Sequence, residues 1–257
     1  MEVTVSRGII RSFLSKLDEY LDIDAAIVGG GPSGLVAAYY LAKSGIKTAV
    51  YESKLAPGGG MWGGAMLFNQ IMVQKEADEI IREFGITAAE YDENNYVIDS
   101  VEATSALIYC ARKAGAVIFN SMRVEDVVLN STTRKVNGVV INWNPVVRTG
   151  MHVDPLVVRA KAVLDATGHP CEISKILAQK NGIKLHTSTG DVVGESSLAV
   201  EEGERKTVEN TKEIYPGIFV SGMSANGVSG GYRMGPIFGG MLLSGKKAAS
   251  IIRESLA

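Results

Sequence analysis

The stretch that decides the fold is "AAIVGGGPSGLVAAYYLAKSGIKTAVYE", residues 25–52. "AAIVG" is an apolar run of strand length, Ser33 to Ser44 is an Ala-rich helix closed by Gly45, and "KTAVYE" is a second strand. Together they form a βαβ unit. At its first turn "GGGPSG" sets Gly29, Gly31 and Gly34 as G-x-G-x-x-G. The first glycine makes the tight turn, the second lets a pyrophosphate approach the backbone, and the third lets helix and strand touch. The helix N-terminus then faces the phosphates. Glu52 closes the second strand, 18 residues after Gly34. A carboxylate there accepts hydrogen bonds from ribose hydroxyls and repels a 2′-phosphate, which favours NAD or FAD over NADP.

Outward from this unit, "APGGGMWGGAM" carries five glycines in eleven residues and reads as a loop under a ligand or another backbone. "QKEADEIIREFG", "SVEATSALIYCARKAG" and "CEISKILAQKNG" read as helices. "AVIFN", "VEDVVLN", "VNGVVINW" and "KAVLDATG" read as strands, the middle ones a β-meander. Residues 190–213 are polar, with "VEEGERK" expected to face solvent. "GIFVSGM" is a late strand, and from Pro236 the chain reads as helical to its end. An amphipathic helix is expected over residues 5–20, with Ile9, Ile10, Phe13, Leu14, Leu17 and Leu21 on one face. The expected organisation is one domain over 1–257, its dinucleotide core made of 24–60, 162–170 and 218–254.

Composition limits the partners. The 257 residues are 46% hydrophobic and 21% charged, with a net charge of −2, so a general nucleic-acid or anionic-membrane binder is not expected. No apolar run reaches the roughly 20 residues of a membrane span, and the first residues lack a signal-peptide apolar region. Two cysteines, Cys110 and Cys171, do not make a disulfide framework and fit a reducing cytoplasm.

"TGMHVDPLVV", residues 149–158, puts His152 and Asp154 two apart in a chain with three histidines. If extended, both project from one face, and Pro155 biases Asp154 toward that conformation. His169, in "DATGHPC", follows a core strand, where ligand groups gather in α/β sheets. Two imidazoles and a carboxylate suit Fe(II). Spacing alone leaves a metal site and scattered hydrogen-bonding residues both open. His186 reads as a surface or structural residue, and Cys171 as a buried thiol. Arg233, in the glycine-rich "YRMGPIFGG", suits a small carboxylate or a surface ion pair.

The layout resembles the two-dinucleotide-binding flavoprotein fold, an α/β Rossmann-type fold with a parallel central sheet and an added β-meander. Flavoproteins typically end the late strand in Gly-Asp, the Asp holding the flavin's ribityl chain; here the pair is Gly222-Met223. The chain is also short for a flavoprotein with a separate substrate domain. It therefore reads as such a fold with flavin exchanged for another adenine dinucleotide.

Taken together, "GGGPSGL", "YESKLAPGGGMWGGAMLF", "HVDPL", "DATGH" and "GYRMGPIFGGMLLSG" resemble the thiamine thiazole synthase family nearly end to end. The resemblance implies a homo-oligomer, commonly an octamer, that builds adenylated thiazole carboxylate from NAD and glycine, with NAD consumed and nicotinamide released. In the self-sacrificing branch a cysteine two residues before Asp-Pro donates its sulfur. Here that position is His152, so the resemblance is to the sulfide-using branch with Fe(II). It implies Asp154 and His169 as iron ligands from neighbouring subunits, and His152 against the NAD-derived chain as acid/base or ligand. It implies Arg233 on the glycine carboxylate. Ser33, Glu52, Ser53, Gly60, Val124 and Met223 match dinucleotide contacts, beside Gly29, Gly31 and Gly34 from the turn. The rivals are a ribose-1,5-bisphosphate isomerase, a flavin-dependent oxidoreductase and a non-catalytic NAD-binding regulator. Cys171 or Cys110 as a sulfur source stays open.

Overall fold

The computed structural model describes residues 1–180 and 182–257. Its main sheet has eight strands: β1 (Asp22–Val28), β2 (Thr48–Glu52), β3 (Val117–Asn120), β4 (Met122–Leu129), β5 (Val136–Trp143), β6 (Leu156–Asp165), β7 (Lys212–Tyr215) and β8 (Ile218–Val220). The order along one path is β7-β8-β6-β1-β2-β3, with β4 pairing β5 and β5 pairing β6. From β8 to β3 the pairings are parallel, whereas β7–β8, β4–β5 and β5–β6 are antiparallel. The architecture is thus α/β with a mixed sheet, and the expected meander is β4-β5-β6.

Ten-residue β6 joins the two parts. One of its edges pairs with β5 through Leu156–Arg159 and with β8 through Val163–Asp165. The other edge pairs with β1 through Arg159–Asp165. The segments 25–52, 162–168 and 218–220, far apart in sequence, therefore become neighbours.

Both faces of the parallel core are covered, which is why β1 reads as a continuous apolar run. Alternate residues serve opposite sides. Ala25 and Ile27 join a cluster with Leu35, Leu41, Leu107 and Leu242; Ile23, Ala26 and Val28 join one with Val124, Val139, Ile141 and Leu177. Each large side chain buried this completely contributes about 1.5–3 kcal/mol.

Several expected elements differ in detail. The N-terminal helix (Glu2–Glu19) packs through Phe13 and Leu17, with Tyr20 just past its end, while Ile9, Ile10, Leu14 and Leu21 stay exposed, so most of the expected apolar stripe has no cover. The helix expected over 171–182 spans Glu172–Gln179, and position 181 lies outside the described residues. The polar "VEEGERK" run belongs to the helix Val200–Glu209, which buries Gly203, Glu204 and Thr207. Three buried positions at helical spacing place one face of a charged segment in the interior. The C-terminal helix begins at Gly239 rather than Pro236, because residues 236–238 pair with the strand Gln70–Gln74: Phe238 N donates to Met72 O at 2.9 Å. That strand, with Ala89–Glu90 and Asn95–Asp99, forms a small antiparallel sheet that sequence reading missed. No helix among the described residues is long and apolar enough to cross a membrane.

Candidate functional site

The carboxyl ends of β1, β2, β6 and β8 open on one cavity of about 450 Å³. This is the position that open α/β sheets reserve for ligands. The turn after β1 shapes its floor. Gly29 has φ +103°, and a Cβ there would lie 2.4 Å from Ala166 O. At Gly34 a Cβ would fall 2.2 Å from Gly29 O, so the helix start and the strand end touch backbone to backbone. A Cβ on Gly31 would instead meet open space, where the residue lines the cavity. Helix Pro32–Lys43 begins with Pro32 at its first turn and no side-chain cap. Its first N–H groups are therefore left for a ligand.

Glu52 is buried at the cavity wall. Its Oε2 accepts from Gly30 N at 2.8 Å and its Oε1 from Lys54 N at 2.8 Å. Oε1 also accepts from Ser53 Oγ at 3.4 Å, and Oε2 keeps a lone pair for a ligand hydroxyl. Ser33, Ser53, Gly60, Val124 and Met223 also line the cavity. Gly34 does not; it acts in the helix–strand contact instead.

A second device, missed at sequence level, shapes the loop after β6. Asp165 is fully buried. Its Oδ1 accepts from Thr167 N (3.1 Å), Thr167 Oγ1 (2.7 Å) and Ser224 Oγ (3.1 Å). Its Oδ2 accepts from Ser174 N (2.9 Å) and Ser174 Oγ (2.7 Å). A buried carboxylate needs such a set of donors. These bonds fix the loop that carries Gly168, His169 and Pro170 to the cavity. The available signal was a lone charge inside the apolar strand "KAVLDATG".

His169 lines the cavity with its side chain about half exposed (49%), and its Nδ1 lies 2.6 Å from Glu195 Oε1. A neutral ring donating Nδ1–H to Glu195 leaves the Nε2 lone pair free for a proton or a metal. Glu195 lies 26 residues away, and no local pattern announced it.

The other candidate residues lie elsewhere. Residues 151–155 have no regular structure, and residues 149–157 are all exposed. His152 and Asp154 are not among the cavity-lining residues. Among the described residues no three His, Cys, Asp or Glu side chains come together as a metal site. Arg233 is exposed on the short strand Tyr232–Arg233, beside Met234 and Gly235, which do line the cavity. His186 is exposed, as expected.

Cys171 is buried, and its thiol lies 3.6–3.7 Å from the carbonyls of Gly168, His169 and Ser224. Burial, with Asp165 nearby, pushes this thiol up to about 12. Burial raises Cys110 as well. A protonated thiol is a poor nucleophile.

Fold and site define an α/β protein whose parallel strands end in a cleft, built on a glycine turn and a bare helix N-terminus. The Thi4 family matches residues 6–238. The chain is 51% identical over 255 residues to the thiamine thiazole synthase of Methanothermobacter thermautotrophicus, covering 99% of this chain and 98% of the relative. The thiamine thiazole synthase of Pyrococcus abyssi gives the same identity and coverage. The crystal structure of Thermovibrio ammonificans THI4 is similar at a TM-score of 0.96 and 51% identity, over 100% of this chain and 98% of that one. The chain belongs to the Thi4 family.

Proposed function

We propose that the chain is a thiazole synthase of thiamine biosynthesis, which makes adenylated thiazole carboxylate from NAD, glycine and free sulfide with Fe(II). One observation carries the reading. His169, oriented by Glu195, stands in the same cavity as the glycine turn and Glu52, which supports a reading in which an imidazole and a dinucleotide would share one space. The fold is read as flavoprotein-like, with NAD in place of flavin and Met223 at the position of the flavin-holding Asp.

In this reading Gly29, Gly31, Ser33 and the helix N-terminus take the pyrophosphate, and Glu52 takes ribose hydroxyls. Ser53, Gly60 and Val124 line the nucleotide end. Nicotinamide leaves, the sugar opens and isomerises to a ketone, and glycine condenses with it to an imine. Arg233 grips the glycine carboxylate. Sulfur addition, ring closure and dehydration complete the thiazole. Several of these steps move protons beside a carbonyl or imine, work suited to His152 and His169.

The residues fit a metal as two halves. His169 has its Nδ1 on a carboxylate, the arrangement that orients a ligating imidazole. Asp154 is exposed and supplies an oxygen donor suited to Fe(II) beside imidazole. Asp154 of one copy and His169 of another would hold the ion in a homo-oligomer, an octamer in this reading, located in the cytoplasm. Bound Fe(II) would acidify C–H bonds beside the imine and present sulfide as a nucleophile. External sulfide is favoured because the chain's own thiols are buried or half-buried and held protonated.

The test is an anaerobic reaction of the protein with NAD, glycine, Fe(II) and sulfide, followed by mass spectrometry of small molecules and protein. Expected is adenylated thiazole in excess over chains, with the protein mass unchanged. Product limited to one per chain, with the protein lighter by hydrogen sulfide, would overturn the sulfide reading. Conversion of ribose 1,5-bisphosphate without any thiazole would favour the isomerase.

A further inference from the structure

Behind the cleft wall lies a pair of polar side chains that the site does not use. Glu204, on the helix Val200–Glu209, is 5% exposed. Its Oε2 accepts from Gln74 Nε2 at 2.6 Å and from Gly240 N at 2.6 Å. Glu204 Oε1 and Gln74 Oε1 are both buried and have no hydrogen-bond partner. The enclosure is tight: a Cβ on Gly239 would lie 2.0 Å from Gln74 Oε1, and one on Gly240 would lie 2.9 Å from Glu204 Oε2.

Two buried acceptors without a protein donor are unfavourable. A carboxyl and a carboxamide are both planar forks. Gln74 Nε2 already joins them through one N–H···O bond to Glu204 Oε2, and a pair of forks of this kind can close a second bond between its other two oxygens once one of them carries a proton. Turning the amide over would set its oxygen against Glu204 Oε2 and is worse. A single proton on Glu204 Oε1 resolves both orphans. The donors to Glu204 are the uncharged Gln74 amide and Gly240 N–H, so among the described residues no cation bonded to it holds it ionised. Nearby charges are engaged elsewhere: Lys75 with Glu90 at 3.5 Å, Lys247 with the carbonyls of Val208 and Glu209, and Arg205 with Glu202 and Glu209. The N-terminus of the helix Gly239–Leu256 favours the anion. Burial opposes it and wins, pushing the carboxyl up to about 7.

We propose that Glu204 is carried in the folded protein as the neutral acid, donating Oε1–H to Gln74 Oε1, and that this doubly hydrogen-bonded acid–amide pair clamps the wall of the cleft. The pair ties three separate segments: the strand Gln70–Gln74, the helix Val200–Glu209 and the start of the C-terminal helix. The wall residues Met234, Gly235, Phe238 and Met241 lie on the segment so held. Glu204 is a positioning residue, and its role does not depend on which ligand the cleft takes.

The sign follows from linkage. A carboxyl raised from about 4.3 in the unfolded chain to about 7 in the fold adds stability that is full below about 4.3. That stability is lost as pH rises through 7. Glu204→Gln replaces the O–H by an N–H and keeps both bonds at every pH. The experiment compares full-length wild type with E204Q. Expected is a glutamate carboxyl carbon in the ¹³C spectrum, absent from E204Q, that titrates near neutrality. Expected too is a Tm gap in favour of E204Q that widens by several degrees between about pH 5 and about pH 8. A Glu204 carbon already ionised at pH 5.5, or a Tm gap that does not change with pH, would overturn the pair. If E204Q folds poorly, a wild-type glutamate carboxyl carbon that titrates near neutrality still decides, and the absence of any such carbon overturns the pair.

Discussion

Residues 25–60 and residues 149–157 both carry proposed ligand contacts, yet they are built in opposite ways. The first run is a strand, a turn, a helix and a strand inside a doubly covered sheet, with Glu52 buried and bonded twice to backbone. The second is exposed throughout, with Met151, Val153, Leu156 and Val157 open to solvent beside His152 and Asp154. A site formed within one chain shows its donors and acceptors engaged. A site formed between chains leaves them, and the apolar residues around them, uncovered. In the proposed reading the contrast would separate a nucleotide end complete in the single chain from a metal end that a second copy would complete.

The strongest way to break this contrast is Asp154→Ala. Iron retention and thiazole formation should fall more than about 100-fold, while NAD binding by calorimetry stays within about twofold of wild type, since direct contacts to NAD are unchanged. Retained iron, or NAD affinity lost in step, would place Asp154 in the nucleotide end instead. Mixing Asp154→Ala chains with His169→Ala chains sharpens it. If each site takes one residue from each copy, random co-assembly restores about a quarter of wild-type activity; a site within one chain restores none.

Smaller effects grade the two ends. Glu195→Gln weakens the carboxylate's hold on His169, so iron affinity should fall about 10–100-fold with NAD affinity kept. Arg233→Ala should raise KM for glycine about tenfold or more, the loss of one charge-assisted hydrogen bond, with NAD affinity unmoved; an equal loss for NAD would move Arg233 to the nucleotide end. The smallest effect is on the thiols. At pH 8 iodoacetamide should leave Cys171 unmodified in the folded protein and label it on unfolding, read by peptide mass spectrometry. Rapid labelling in the fold would reopen Cys171 as a sulfur donor.

The cleft was legible in sequence because its parts are local. Gly29, Gly31 and Gly34 mark a turn between strand and helix, and Glu52 ends the next strand at a fixed distance. Apolar runs likewise disclosed the parallel core and the meander. The small sheet was hidden by its glycine-rich lead-in, whose loop character masked the strand Gln70–Gln74. The helix Val200–Glu209 was hidden because a charge run normally marks a solvated face, and here one face is buried. Asp165 stood inside a strand already singled out, and only its five hydrogen bonds revealed why a charge is tolerated there.

By itself the sequence determined the βαβ unit, the glycine turn, the carboxylate at the second strand's end and the histidine where a sulfur-donating cysteine was absent. Backbone preference and apolar periodicity act over a few residues and leave their mark in the sequence. Only the tertiary structure decided that Glu195 meets His169, that Asp165 anchors the loop carrying His169, and that buried Glu204 and Gln74 meet. These pairs join residues from 2 to 130 positions apart. What selects them is burial: a polar group removed from water must find a partner wherever the fold brings one, and distance along the chain plays no part in that choice.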